Sequence, residues 1–255
     1  MNGKRQKKKK RLKRIIIAYI LRISLILIVM GMAVLMFCGC LYIRDFFRKG
    51  DVLVGEGNFN EIFKENEEAA SDEKQLSGVC VVLDAGHGGK DGGTVGSNVI
   101  EKEINLSVVL FLKDILQAYG GEVILTRSTD ENLELSERIE IANQADADLF
   151  VSLHCNYYED DASVSGLECY YYPDNTESRK YAESIIGSAK ESESISVREA
   201  KAESYYVLSE TAMPAVLIEM GFLSNHAECQ RLANSDYQGL LAEKIAEGIL
   251  EIIDG

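Results

Sequence analysis

Histidine is scarce in this chain, with three residues in 255: His87, His154 and His226. Six cysteines are present, but no CxxC pair, so neither a zinc knuckle nor a dithiol redox motif is written in the sequence. Cys38 and Cys40 fall in an apolar run. Cys80, Cys155, Cys169 and Cys229 are scattered, two of them in or beside apolar strands, and are expected to be buried thiols rather than disulfides. A phosphate loop is also missing: the glycine cluster GHGGKDGGTVG at 86–96 contains no GK[ST] and no GxGxxG leading into a helix. There is no internal repeat. Basic residues are sparse outside the amino terminus. Residues 1–49 hold thirteen Lys/Arg and one acid, which leaves fourteen basic against forty acidic residues in 50–255. So acidic a body excludes nucleic acid as a partner, because that binding works by displacing counterions with basic surface.

The segregated charge is informative at the amino terminus. MNGKRQKKKKRLKR carries nine Lys/Arg in fourteen residues, and Ile23–Ile43 is then a 21-residue run with no formal charge. At helical rise that run matches a bilayer core of roughly 30 Å. The basic flank is expected to stay inside, placing the rest of the chain outside. The sequence thus divides into a cytoplasmic basic segment (1–22), a transmembrane anchor (23–43), a charged linker (44–77) and a folded domain (78–255). The expected localisation is the cytoplasmic membrane, single-pass, with the domain on its outer face.

Within that domain, strand and helix patterns alternate. CVVL (80–83), EVILT (122–126), LFVSL (149–153), LECYYY (167–172), YYVL (205–208) and AVLI (215–218) read as strands. Ile104, Val108, Phe111, Leu112 and Ile115 keep helical spacing over 101–119, ended by Gly120-Gly121. Further helices are expected after an N-cap at Ser136, around 178–191 and over 236–253. Six strands interleaved with helices predict an α/β domain with a largely parallel sheet. Its central strands are apolar on both faces, as a sheet covered on both sides requires.

His87 follows the first strand and His154 the third, while AVLI leads into Glu219. If those strands are neighbours, three reactive side chains converge at the carboxyl edge of the sheet, where open α/β sheets bind their ligands. A catalytic zinc takes three His or carboxylate ligands and leaves a place for water. Glu101 and Glu103, at the start of the first long helix, are both candidates for the third ligand, and both also suit a helix N-terminus as first-turn acids. A carboxylate at Glu219, after four apolar residues, is expected to be partly desolvated. That raises its pKa and suits it to take a proton from water and return it.

These residues lie in six ordered motifs: LDAGHGGKDGG (83–93), EKEINL (101–106), ILTRSTD (124–130), LSERIEIAN (135–143), ADLFVSLHCN (147–156) and PAVLIEMGFLSN (214–225). From about Val79 to Ile253 the chain resembles the zinc-dependent N-acetylmuramoyl-L-alanine amidases of the group called Amidase_3. The resemblance implies a single three-layer domain with a twisted, mostly parallel six-stranded sheet flanked by helices. It implies Zn²⁺ held by His87, Glu101 (not Glu103) and His154, with Glu219 as catalytic acid and base. The implied substrate is peptidoglycan, cut at the amide between the lactyl group of muramic acid and L-alanine; whether an activator protein is a further partner is left open by the sequence. A silent, merely binding relative would lack one of the four residues, and all four are present. Two departures stand out. Ala85 replaces a common Pro, and Arg198-Glu199-Ala200-Lys201 stands where the family has Arg-Gly-Val-Lys, which bears on substrate contacts there. His226 is read as a surface residue beginning a helix.

Overall fold

A computed structural model describes residues 75–254. The expected cytoplasmic segment, the transmembrane run 23–43 and nearly all of the linker lie outside the described residues. Among the described residues no helix is long and apolar enough to cross a membrane.

The domain contains β1 (Cys80–Ala85), a small hairpin β2 (Val95–Gly96) and β3 (Val99–Ile100), α1 (Glu101–Ala118), β4 (Glu122–Leu125), α2 (Leu135–Gln144), β5 (Leu149–Asn156) and β6 (Leu167–Tyr171). The order continues with α3 (Thr176–Lys190), β7 (Val197–Ala202), α4 (Tyr206–Ser209), β8 (Ala215–Phe222), α5 (His226–Leu232) and α6 (Ser235–Asp254). Six strands form one sheet in the order β4-β1-β5-β8-β6-β7. The β4, β1, β5 and β8 strands are mutually parallel; β6 runs antiparallel to β8, and β7 is parallel to β6. The mostly parallel α/β sheet expected from the sequence is therefore present.

Helices cover both faces. Apolar residues of α1, α3 and α6, such as Leu112, Ile185 and Ile245, pack with Val81, Val151 and Ile218 into the larger core. On the other face, Ile139 and Ala142 of α2 and Val207 and Leu208 of α4 pack on Val82, Phe150 and Leu217 in a smaller core. Two short helices shield less sheet than three long ones. The upper part of this second face is left as an open trough, and the site lies there.

Three expectations need correction. YYVL (205–208) is not a strand. Tyr206–Ser209 is the short helix α4, whose Val207 and Leu208 are buried while Tyr206 is exposed. The sixth strand is instead Val197–Ala202, a half-exposed edge with polar alternation that hid it from a search for apolar runs. The second helix begins at Leu135 rather than after Ser136, because the Glu137 carboxylate accepts a hydrogen bond from the Glu134 backbone N–H at 2.7 Å. Finally, β5 and β8 extend through His154 and Glu219 instead of stopping before them. Leu76, in the stretch assigned to the linker, is fully buried and packs with the larger core. The four described cysteines are free thiols, three of them buried.

Candidate active site

The site starts from the turn after β1. Gly86, His87 and Gly88 must leave the sheet edge at once, and His87 adopts a left-handed backbone, φ 62°. Such a conformation costs a non-glycine residue on the order of 1–3 kcal/mol and persists only where its surroundings enforce it. Two buried arginines do so. Arg127 Nε donates to the Ala85 carbonyl at 2.8 Å, and its Nη2 donates to those of Gly86 (3.0 Å) and Lys102 (2.9 Å). Arg138 Nη1 donates to the Ala85 carbonyl at 2.7 Å and Nη2 to that of His87 at 2.8 Å. Arg138 is itself anchored on buried Asp84, 2.6 Å away, which also accepts from Thr126 and Ser152. Burial pushes the Asp84 carboxyl up, but the Arg138 charge and these bonds hold it below the ordinary range. The arginines of ILTRSTD and LSERIEIAN therefore serve as clamps on the histidine turn, a role the sequence did not reveal.

Glu101 is the first residue of α1 and is 1 % exposed. Its Oε1 lies 3.1 Å from His87 Nε2 and 2.9 Å from His154 Nδ1. The Cys155 backbone N–H donates to the same oxygen at 3.1 Å, and the Thr94 N–H donates to Oε2 at 2.8 Å. Burial pushes the Glu101 carboxyl up, but bonds from His154 and His87 carry it far below the usual range. His87 is raised to about 9, chiefly by its hydrogen bond to Glu101. Glu103, the alternative on the same helix, is exposed and faces away. His226 begins α5 at the surface, as expected, with Ser97 Oγ 3.1 Å from its Nδ1.

The donor set fits a small divalent cation. One atom each from His87, Glu101 and His154 lie within 4.8 Å of one another, and both rings aim at one carboxylate. Ligands sharing a tetrahedral zinc at ordinary bond lengths sit roughly 3.3 Å apart, a few tenths of an ångström from the two spacings between Glu101 and the histidines. An anion this buried is stabilised by positive charge, which the raised His87 supplies here and a cation held by the same donors would supply in its place. Glycines give the cluster its room: a Cβ on Gly86 would overlap the His154 ring, and one on Gly93 would meet the Glu101 carboxylate and His87. Asp91, which sequence reasoning missed, accepts from His87 Nδ1 at 2.8 Å and from the Gly93 N–H at 3.1 Å. It thereby orients the ring so that Nε2 faces Glu101, the outer-shell arrangement usual for metal-binding histidines. Its signal was its place four residues after His87, inside the glycine loop.

Glu219 sits beside the cluster. Its Oε2 is buried and has no hydrogen-bond partner among the described residues. Burial pushes its carboxyl up to about 7, the largest influence, with repulsion from Glu101 and Glu168 adding to it. On the next strand, buried Glu168 is neutralised by Lys201 Nζ (2.6 Å) and Arg198 Nε (2.5 Å) and accepts from Tyr170 Oη at 2.6 Å. On its other side the trough runs from His87 and His154 to Leu217, Tyr205 and Tyr206 and the rim of α2 at Leu135.

An anionic donor cluster at the carboxyl edge of a doubly covered α/β sheet, flanked by a desolvated acid, describes a hydrolase site on an α/β scaffold. The family model for N-acetylmuramoyl-L-alanine amidase matches residues 81–251, and the chain belongs to that family and enzyme class. It is 35 % identical over 190 residues to the germination-specific N-acetylmuramoyl-L-alanine amidase of Bacillus subtilis, covering 69 % of this chain and 80 % of that one. It is 33 % identical over 174 residues to the sporulation-specific N-acetylmuramoyl-L-alanine amidase of the same organism, covering 67 % of each. Among solved structures it is similar to the CwlD amidase from Clostridioides difficile, determined in complex with the GerS lipoprotein. That match has a TM-score of 0.66 at 33 % identity, over 69 % of this chain and 98 % of that one.

Proposed function

We propose that this amidase cleaves the amide joining the lactyl group of N-acetylmuramic acid to L-alanine of the peptidoglycan stem peptide, using Zn²⁺ held by His87, Glu101 and His154 with Glu219 as general base and acid. The observation that carries the reading is the unpartnered, buried Oε2 of Glu219 beside three convergent donor atoms. When bound, the zinc ion supplies Lewis-acid polarisation and lowers the pKa of water. Glu219, desolvated and with a raised pKa, accepts a proton from the attacking water and returns it to the alanine nitrogen as the amide breaks. Asp91 holds the His87 ring, and the Arg127–Arg138 clamp holds the turn that carries it. Tyr205 and Tyr206 line the trough and offer apolar faces for a sugar ring.

The reading extends to place and partner. The basic amino terminus and the uncharged run 23–43 support a single membrane anchor with the catalytic domain outside, where the substrate lies. The germination- and sporulation-specific relatives support a role in spore peptidoglycan, and the similar CwlD amidase solved with a lipoprotein supports a protein activator. The test is incubation of the purified chain with peptidoglycan, with and without chelator, followed by mass spectrometry. The expected products are lactyl-muramic glycans and peptides with a free L-alanine amino group, absent when the metal is stripped. Cleavage within the stem peptide would overturn the assignment.

A further inference from the structure

Residues three apart on a regular strand face opposite sides of the sheet, yet Arg198 and Lys201 of β7 both reach the same carboxylate. The cause is a register shift. Leu167 pairs with Val197 and Cys169 with Ala200, so Glu168 is faced by two residues, Arg198 and Glu199. The bulge turns Arg198 onto the face that already carries Lys201, which pairs with Tyr170. A second shift, between His154 and Asn156 on β5 and Glu219 and Phe222 on β8, brings Phe222 to the same face. The Arg198 guanidinium lies 5.7 Å from the centre of that ring.

The two cations exceed what Glu168 needs. Arg198 spends only Nε on it, and among the described residues neither of its terminal nitrogens has a hydrogen-bond partner, the guanidinium lying over the Phe222 ring. Both side chains are partly open to solvent, 40 % for Arg198 and 30 % for Lys201, while Glu168 beneath them is 3 % exposed. Their head groups, held on Glu168, lie one strand over from the proposed proton shuttle, because Glu168 pairs with Glu219 across β6 and β8. Neighbouring strands are ~4.8 Å apart, and one extended residue spans about 3.3–3.6 Å. A stem peptide whose scissile nitrogen lies at Glu219 therefore brings the carboxyl group of its next residue within reach of Arg198 and Lys201.

We propose that Arg198 and Lys201, aimed by the β7 bulge over buried Glu168, bind a free carboxylate on the stem residue that follows the scissile L-alanine, so that the enzyme prefers an acidic residue there over its amidated form. The inference rests on the amidase reading above. Glu199, 70 % exposed and 3.8 Å from Lys201, tempers that preference by offering Lys201 a competing carboxylate.

The test uses the zinc-loaded full chain and two muropeptides that differ only in whether the carboxyl of the second stem residue is free or amidated. The expected result is a higher kcat/KM for the free acid, carried by KM. Arg198→Gln lowers that ratio roughly 10–100-fold toward one, the effect of losing a charged hydrogen bond; Arg198→Lys restores part of it. Glu199→Gly raises the ratio by about 1.5–5-fold, as removal of an exposed ion pair allows. Lys201→Gln, with its ratio also lowered, serves should Arg198→Gln not fold. Equal turnover of the two substrates by the unaltered protein overturns the proposal while leaving the amidase reading intact, as does an equal fall on both in the variants. Failure to cut either muropeptide at the lactyl amide sinks the parent reading instead.

Discussion

His154 and Glu219 face each other directly across β5 and β8, paired in register on parallel strands. One aims its ring nitrogen at Glu101, and the other leaves a carboxylate oxygen buried and unbonded beside it. With Glu168 paired to Glu219 on the next strand, three ionisable side chains form a row across the sheet. The middle one has a buried carboxylate oxygen with no hydrogen-bond partner among the described residues, which supports the proposed role in proton transfer.

Replacing Glu219 with Gln is expected to leave zinc content unchanged and to lower kcat by about 10²–10⁴-fold, the usual contribution of a general acid–base group. Metal analysis and turnover on the same preparation check it. Near-full activity would remove Glu219 from the mechanism.

The same residue links stability to pH in the metal-free protein. Its folded pKa, pushed up to about 7, lies above the ordinary glutamate value. Between the two the native state binds more protons than the unfolded state, so stability falls as pH rises through that window. Denaturation midpoints of chelated protein from pH 5 to 8 should therefore decline, and Glu219→Gln should flatten the decline.

Asp91→Asn removes the negative charge that holds the His87 ring. Zinc affinity is expected to drop about 10–100-fold, as for other outer-shell partners of metal-bound histidine. Competition with a chelator of known affinity reads this directly. His87→Ala, by contrast, should abolish both stoichiometric zinc and activity.

Arg138→Ala leaves Asp84 buried without its ion pair and frees the carbonyls of Ala85 and His87. The expected loss is about 3–5 kcal/mol, read by urea denaturation.

Gly86→Ala places a methyl group in the His154 ring and should lose zinc binding. Gly187→Ala, in α3 where a Cβ meets nothing within 4 Å, is expected to be stabilising by up to about 1 kcal/mol through helix propensity.

Apolar periodicity was enough to read α1, α3, α6 and five of the six strands of the large sheet, because burial on both faces writes long hydrophobic runs. It failed at Val197–Ala202, where an edge strand needs few apolar residues, and at Tyr206–Ser209, where β-rich residues form a helical turn over the smaller core. The ordered motifs around His87, Glu101, His154 and Glu219 were likewise legible. Their chemistry depends on residue type, and strand ends are local features.

What the sequence by itself determined is the fold class, the family and the placing of His87, His154 and Glu219 at the carboxyl ends of strands. Only the tertiary structure decided that Glu101, two residues from exposed Glu103, lies between both histidines, because that depends on how α1 docks against β5. It also decided that Arg127 and Arg138 clamp the His87 turn, that Asp91 orients the ring, and that a bulge carries Arg198 and Lys201 to one carboxylate. Each of these is set by register and facing between elements distant in the chain. A one-residue shift of register exchanges the faces of a strand without changing its composition, so sequence pattern alone carries no record of it.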